Sequence, residues 1–263
     1  MLRSRVITAL GLALAALALI YLLPPPGFAL AIGLVALLAA WEWARFADLE
    51  SAWQRGLYVT AIAVLGVAAW AWPSLRVVAL WLGVAAWAVA ICGILSHRQG
   101  RQFKRWRWIA ALLGFAVIWA AWVAAAVVHS APNGDHWLVW LFILVSAVDI
   151  GAYFAGTAWG RRKLAPSLSP AKTWEGVAGG AACSILICGG ALAALGRLDA
   201  ASGAIIALLI AVSVFGDLLE SLLKRQSGVK DSGTLLPGHG GLLDRVDSEL
   251  AALPVFALLL PFV

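Results

Sequence analysis

Residues 108–128 read WIAALLGFAVIWAAWVAAAVV, a run that contains no charged residue and no proline. An apolar run of about 17 to 25 residues has the length of a helix that crosses the hydrocarbon core of a bilayer. No polar face interrupts the run at helical spacing, so the pattern differs from that of a half-buried helix. The stretch therefore predicts a transmembrane helix.

Similar apolar runs fill most of the chain and are separated by short charged or Pro/Gly segments. The first run ends at Pro24 without a small-residue cleavage site, so we expect a retained helix rather than a removed signal peptide. The fold class is predicted to be all-α, a polytopic membrane helical bundle of about nine transmembrane helices. The candidate spans are residues 6–23, 28–44, 57–72, 77–95, 108–128, 137–157, 177–196, 203–223 and 249–263.

The overall composition agrees with a membrane protein. Of the 263 residues, 63% are hydrophobic and only 12% are charged, and the mean hydropathy is +0.93. These values exclude a soluble globular domain and a disordered chain. The three cysteines lie inside apolar runs without the spacing of metal ligands, so we interpret them as packing residues.

The positions of Lys and Arg predict the orientation in the membrane. Only Arg76 and Arg197 fall in one set of alternate loops, and the other 17 of the 19 basic residues fall in the opposite set and the N-terminal tail. Basic loops stay on the cytoplasmic side, so the N-terminus is predicted to be cytoplasmic in an integral protein of the inner (plasma) membrane. The 17 are Arg3, Arg5, Arg45, Arg55, Arg98, Arg101, Lys104, Arg105, Arg107, Arg161, Arg162, Lys163, Lys172, Lys224, Arg225, Lys230 and Arg245.

The basic cluster at residues 98–107 is interleaved with aromatic residues, a composition that also occurs in nucleic-acid-binding surfaces. At the entry of a predicted span, however, basic residues fix topology and contact anionic lipid headgroups, and Trp anchors the interface. We therefore expect membrane lipids as partners and no nucleic acid.

Chemistry-bearing residues are concentrated in the second half of the chain. We predict a scaffold region of transmembrane helices at residues 1–130 and a catalytic region at residues 131–263, with cytoplasmic loops 158–176 and 224–248. Asp149 lies inside a predicted span, where an ionisable residue is a functional candidate. The following loop places Lys172 among Ser169 and other hydroxyl residues, a combination that suits a phosphate group.

The end of the eighth span carries a polar face. Asp217, Glu220, Ser221 and Lys224 follow helical spacing i, i+3, i+4 and i+7, so all four share one side of the helix. A Gly-rich loop and two further acids, Asp244 and Asp247, come next. Mg²⁺ binds one or two protein carboxylates together with water and substrate phosphates. Zinc fits poorly because His239 is the only histidine near these acids.

Two segments resemble the CDP-diacylglycerol synthase family, also called phosphatidate cytidylyltransferases. SLLKRQSGVKDSGTLLPGHGGLLDRVD, residues 221–247, resembles the family signature, and residues 149–176 are similar to its other motif. The resemblance implies an all-helical membrane enzyme, expected as a homodimer, whose substrates are CTP and phosphatidic acid. The implied reaction transfers CMP to the lipid, with Mg²⁺ and room for a second cation.

The resemblance also implies the roles of individual residues. The expected metal ligands are Asp217 and Asp244, and the expected catalytic residues are Asp217, Lys224, Arg225, Asp244 and Asp247. The expected substrate-binding residues are Asp149, Ser169, Lys172, Ser221, Lys230, Asp231, His239, Gly240, Gly241 and Arg245.

Three other functions stay open at this level. A CTP-dependent lipid kinase, or a cytidylyltransferase for another lipid phosphate, would need similar residues. An ion-coupled transporter also uses intramembrane acids, but a carrier should show matching interruptions in both halves of the chain. Here the polar elements crowd into the second half, which disfavours the transporter.

Overall fold

The computed structural model describes residues 2–97, 106–229, 231–233 and 240–263, with side chains from residue 10 onward. Two predicted site residues, Lys230 and His239, lie outside these ranges. The described helices are α1 (Leu2–Leu22), α2 (Pro25–Trp43), α3 (Ala52–Ala71), α4 (Pro73–Ser96), α5 (Trp106–His129), α6 (Gly134–Trp159), α7 (Trp174–Ser184), α8 (Gly190–Ala194), α9 (Ala200–Ser227) and α10 (Leu243–Leu259). Strands β1 (Lys163–Ala165) and β2 (Ser169–Thr173) lie between α6 and α7.

The helices confirm an all-α polytopic membrane fold. Seven described helical segments are long and apolar enough to cross a membrane, and one of them joins α7 and α8 through a π-helical turn, Ile185–Gly189. The other two of the nine predicted spans correspond to α1 and α10, whose apolar parts are shorter. The apolar part of α1 is Leu10–Leu22, and α10 has 17 residues with several charged residues near its start. The count of nine spans therefore stays a prediction.

Helix α5 forms the centre of the bundle and packs against α2, α4 and α10. Tryptophans fill the space that glycines leave between α5 and its neighbours α2 and α3. The indole of Trp122 lies over Gly33 and Gly66, and its Nε1 donates to the carbonyl of Ala29 at 2.8 Å. Trp43 lies against Gly114 in the same manner. Each indole thus buries a large apolar surface while its N–H keeps a partner.

The predicted loop at residues 158–176 contains an antiparallel β-hairpin, which the sequence did not predict. Lys163 pairs with Thr173, and the Thr173 hydroxyl accepts the N–H of Gly176 at 3.1 Å to cap α7. The Glu175 carboxylate accepts the backbone N–H groups of Arg161 and Arg162 at 3.0 to 3.3 Å. These local hydrogen bonds give the loop a fixed shape directly after α6.

Helix α9 begins with a capping box. The Ser202 backbone N–H donates to the Asp199 carboxylate, and this hydrogen bond holds the pKa of that carboxyl below its usual value.

The second predicted loop, at residues 224–248, is shorter in the structure than in the prediction. Helix α9 continues to Ser227 and ends at Gly228, whose φ of +67° lies in the left-handed region that glycine adopts easily. Because α10 already begins at Leu243, the predicted loop includes the ends of two helices.

Candidate active site

Helices α9 and α10 approach each other closely at Gly216. A Cβ atom at this position would lie 2.6 Å from the carbonyl oxygen of Asp247, so only glycine fits without a shift of backbone. One turn earlier on α9, the carbonyl of Ser213 accepts the hydroxyl of Ser248 at 3.1 Å. This contact places the first turns of α10 beside the polar face of α9.

Three carboxylates meet where the two helices approach. Oxygen atoms of Asp217, Glu220 and Asp247 all lie within 4.8 Å of one another, and Glu220 is buried. Carboxylates this close repel each other unless a cation or a proton lies between them. Oxygen ligands at this spacing fit a hard divalent cation such as Mg²⁺, so the cluster can hold the expected metal.

Lys224 lies beside this cluster and bridges two acids. Its Nζ is 2.8 Å from Glu220 Oε2 and 2.6 Å from Asp244 Oδ1. The other oxygen of Asp244 accepts the backbone N–H of Gly241 at 2.8 Å. Asp244, an expected metal ligand, is therefore engaged by a lysine and a backbone amide and lies outside the three-carboxylate group. Its metal role stays a prediction.

The β-hairpin contacts the polar face of α9. Lys172 on β2 forms an ion pair with Asp217, and Asp149 on α6 interacts electrostatically with both. The Arg225 Nε atom donates to the carbonyl of Leu168 in the hairpin turn at 3.1 Å. The hairpin is thus fixed to α9, and the structure brings its lysine to the same acid that the sequence selects as a metal ligand.

The other predicted residues that the structure describes differ in burial and in backbone conformation. Ser221 is partly buried on α9, while Asp231 and Arg245 are exposed. Gly240 has a φ of +84°, and a Cβ atom there would lie 2.5 Å from Asp244 Oδ2. The chain therefore needs glycine at position 240 for its backbone conformation and for space beside a site carboxylate.

Sequence reasoning missed Glu42 and left Glu220 out of the site. Glu42 is on α2, in the predicted scaffold region, and its carboxylate contacts the backbone of Leu242 and Leu243 at the start of α10. The available signal was its position as a lone acid in the predicted span 28–44, where ionisable residues are rare. For Glu220, the signal was its shared helix face with Asp217.

In the described part of the site, carboxyl groups outnumber the lysines that pair with them. Electrostatic interactions link Asp247 to Asp217, Glu220, Glu249 and Asp149. Against these acids and Asp244, the ion pairs of the site supply two ammonium groups, those of Lys172 and Lys224. An excess of carboxylates at one end of an apolar bundle attracts cations and, through them, polyphosphates.

An acid cluster flanked by lysines in a bundle of apolar helices is typical of a membrane enzyme that acts on phosphate groups. The sequence model of the Cytidylyltransferase family matches residues 3–263, and the chain belongs to this family. It is 45% identical to a phosphatidate cytidylyltransferase of Pseudomonas aeruginosa, over 99% of this chain and 97% of the relative. It is 37% identical to the Haemophilus influenzae enzyme of the same name over the full length of both chains. The resemblance found in the two sequence motifs is confirmed.

Proposed function

We propose that this protein is a phosphatidate cytidylyltransferase, a transferase of phospholipid biosynthesis. It transfers CMP from CTP to phosphatidic acid and gives CDP-diacylglycerol and pyrophosphate. The structural observation that carries the proposal is the group of carboxylates at Asp217, Glu220 and Asp247 with lysines beside it. Relatives that match along nearly their whole length bear this enzyme's name.

The chemistry requires charge neutralisation more than a strong base. A phosphate monoester has its second pKa at about 6, so phosphatidate is largely a dianion at neutral pH. One of its oxygens attacks the α-phosphorus of CTP, a new P–O bond forms, and the bond to the β-phosphate breaks in line to release pyrophosphate. The main barrier is the approach of two anions, which nearby cations lower.

Asp217 is the central metal ligand in this proposal, because it belongs both to the predicted pair with Asp244 and to the observed group. Asp247 and Glu220 are the acids that the geometry adds to it. When bound there, Mg²⁺ would neutralise phosphate oxygens and align them for in-line transfer. The number of carboxylates around Asp217 leaves room for the second cation that the resemblance implies.

The basic residues divide between the two substrates. We assign Lys172, Lys230 and Arg245 to the phosphates of CTP, and Lys224 with Arg225 to the lipid phosphate or the charge that develops during transfer. The resemblance gives Asp231 and Asp247 supporting roles, and in this proposal Asp247 also joins the metal-binding acids around Asp217. Lys172 on the hairpin pairs with Asp217, whereas Lys224 on α9 pairs with Glu220 and Asp244, so the two lysines can hold two different anions.

The reaction is tested with purified protein in detergent, phosphatidic acid, Mg²⁺ and CTP labelled at either the α- or the γ-phosphate. We expect lipid-soluble label from α-labelled CTP only. Lipid label from γ-labelled CTP would identify a lipid kinase instead. Transfer of label to a different lipid phosphate, with none to phosphatidic acid, would identify another cytidylyltransferase. If label from neither form of CTP reaches a lipid, the result would favour the transporter.

Lys172→Ala is expected to raise the KM for CTP more than the KM for phosphatidic acid. The substitution removes a charged contact worth about 1.5 to 3 kcal/mol from one substrate, which corresponds to about a tenfold to hundredfold change. Initial rates at varied CTP and varied lipid measure the two constants. Lys163→Ala, at an exposed position on strand β1 of the same hairpin, is the matched control. A selective effect on phosphatidic acid would reassign Lys172 to the lipid.

We further propose nine spans in the inner membrane, with the N-terminus and the active site on the cytoplasmic side. The charge distribution supports this orientation. In intact cells, a membrane-impermeant thiol reagent should label single cysteines at Asn133 and Ala200 but not at Ser169 or Gly238. The variants need a parent without its three native cysteines. External labelling at Gly238 would overturn the cytoplasmic active site.

The proposal also includes a homodimer, which the family resemblance implies. The mass of the protein in detergent, measured by light scattering with the detergent contribution subtracted, distinguishes one copy of 27.7 kDa from two. A monomer with full transfer activity would contradict the dimer and leave the reaction unaffected.

A further inference from the structure

Glu42 is a buried acid in the last turn of α2, outside the region to which the sequence assigns catalysis. Only 3% of the residue is exposed. Its Oε1 accepts the backbone N–H of Leu242 at 3.1 Å, and its Oε2 accepts that of Leu243 at 2.8 Å. Both carboxylate oxygens of Glu42 therefore hold the first residues of α10.

Helix α10 has no cap of its own. The first N–H groups of a helix lack partners within the helix, and a polar side chain at the N-cap normally supplies one. Here the N-cap is Leu242, which makes no side-chain cap hydrogen bond. Glu42 supplies the missing oxygens from another helix, and its negative charge suits the positive end of the α10 dipole.

The same side chain also meets the other end of the loop between α9 and α10. The Ser232 hydroxyl lies 3.5 Å from Glu42 Oε2, and Arg45 Nη1 donates to the Ser232 carbonyl at 3.2 Å. A Cβ atom at Gly233 would lie 2.6 Å from Glu42 Cδ, and one at Gly241 would lie 2.5 Å from Oε2. Glycines on both sides of the loop thus allow its backbone to pack against one carboxylate.

Two site acids depend on where α10 begins. Asp244 is in its first turn, and Asp247 follows three residues later in the group with Asp217. A shift of the helix start moves both carboxylates relative to α9, which carries Asp217. The contact between Gly216 and the Asp247 backbone restrains the separation of the helices, while Glu42 restrains the first residues of α10.

We propose that Glu42 is a positioning residue for cytidylyl transfer. It acts through the amides of Leu242 and Leu243 to hold Asp244 and Asp247 at the distance from Asp217 that metal and substrate require. This inference rests on the proposed function for its kinetic consequence, although the restraint itself is a property of the chain. Glu42 makes no contact with the reacting groups in this proposal.

Glu42→Gln is the sharpest test, because the amide keeps the size of the side chain but offers one oxygen where two N–H groups need acceptors. We expect kcat to fall at least about tenfold, because a displacement of about 1 Å in a reacting group costs up to about a hundredfold in rate. The Mg²⁺ midpoint should rise, and hydrogen exchange at the amides of Leu242 and Leu243 should become faster. Glu50→Gln, an exposed acid shortly after α2, is the control.

A merely structural role predicts a different result. The Glu42→Gln variant would then melt at a lower temperature but keep the parent's kcat and Mg²⁺ midpoint below that temperature, and this outcome would overturn the proposal. If the variant does not fold, Arg45→Ala carries the test, because it removes the hydrogen bond to Ser232 at the other end of the loop. It should shift the Mg²⁺ midpoint in the same direction, and an unchanged midpoint would contradict the proposal.

The exchange measurement separates failure of this inference from failure of the proposed function. If the parent itself transfers no label from CTP to lipid, the proposed reaction is wrong. Faster exchange confined to Leu242 and Leu243 in Glu42→Gln would still support the restraint on α10. Exchange equal to that of the parent at these amides would refute the restraint, whatever the reaction.

Discussion

Asp217→Asn should lower the rate of cytidylyl transfer by about a hundredfold or more, because the loss of metal stabilisation is several kcal/mol and each 1.36 kcal/mol is about tenfold. Asn is nearly isosteric with Asp but lacks the charge that holds Mg²⁺. Asp217 belongs both to the predicted metal-ligand pair with Asp244 and to the observed carboxylate group with Glu220 and Asp247. It also forms an ion pair with Lys172. A Mg²⁺ titration of transfer measures the rate and the midpoint together.

Asp244→Asn and Asp247→Asn separate the two assignments of the metal site. A true ligand should raise the Mg²⁺ midpoint when it is neutralised, with the melting profile in detergent unchanged. An acid that serves mainly as the partner of Lys224, as the contacts of Asp244 indicate, should lower the melting temperature first and leave the midpoint unaltered. Asp48→Asn, an exposed site with a positive φ that Asn tolerates, is the control.

The outcome that would contradict the metal assignment is specific. If Asp217→Asn, Asp244→Asn and Asp247→Asn all keep near-parent rates with the parent's Mg²⁺ midpoint, these acids are scaffold. If Asp247→Asn shifts the midpoint and Asp244→Asn does not, the observed group with Asp217 replaces the predicted pair.

Lys224→Met should destabilise the fold by about 3–5 kcal/mol, the usual cost of removing one partner from a buried charge pair. Met keeps the length and apolar character of the lysine stem but lacks the ammonium group, so Glu220 and Asp244 lose their shared cation. The side chains of these two acids are only 7% and 9% exposed, so water cannot replace the ammonium group. Denaturation in detergent, followed by circular dichroism, measures the change.

A second substitution distinguishes charge from packing in this cluster. Lys224→Met combined with Glu220→Gln should recover much of the lost stability, because one unpaired charge is removed with its partner. Activity should not return, since the lysine is assigned to the lipid phosphate. Arg161→Met, at an exposed cation beside the hairpin, should leave stability unchanged. A stable Lys224→Met protein would show that Asp244 and Glu220 do not depend on this lysine.

The membrane fold could be predicted because the length and hydropathy of each apolar run depend only on neighbouring residues. The span at residues 108–128 became α5, Trp106–His129, with ends shifted by one or two residues. The β-hairpin could not be predicted from local patterns, because its strands have three and five residues. It is stabilised by contacts such as that between Glu175 and the amides of Arg161 and Arg162.

The candidate site was predictable in its residue types but less so in its geometry. The helical spacing of Asp217, Glu220 and Lys224 places them on one face without any tertiary information. Whether Asp244 or Asp247 joins Asp217 depends on the residue at which α10 begins and on its rotation. That start is fixed by Glu42, whose contact with Leu242 spans 200 residues of sequence, and no local pattern contains such a contact.

The separation between Glu42 and its partners also constrains the order of events during synthesis. A ribosome adds about 5–20 residues per second, so the 200 residues that separate Glu42 from Leu242 take roughly 10–40 s to appear. During that interval the backbone amides of Leu242 and Leu243, which donate to Glu42 in the folded protein, do not yet exist. The start of α10 becomes capped only after the other long helices that the structure describes have been made. A chain that still lacks α10 therefore cannot assemble the carboxylate group, because Asp247 is one of its three members.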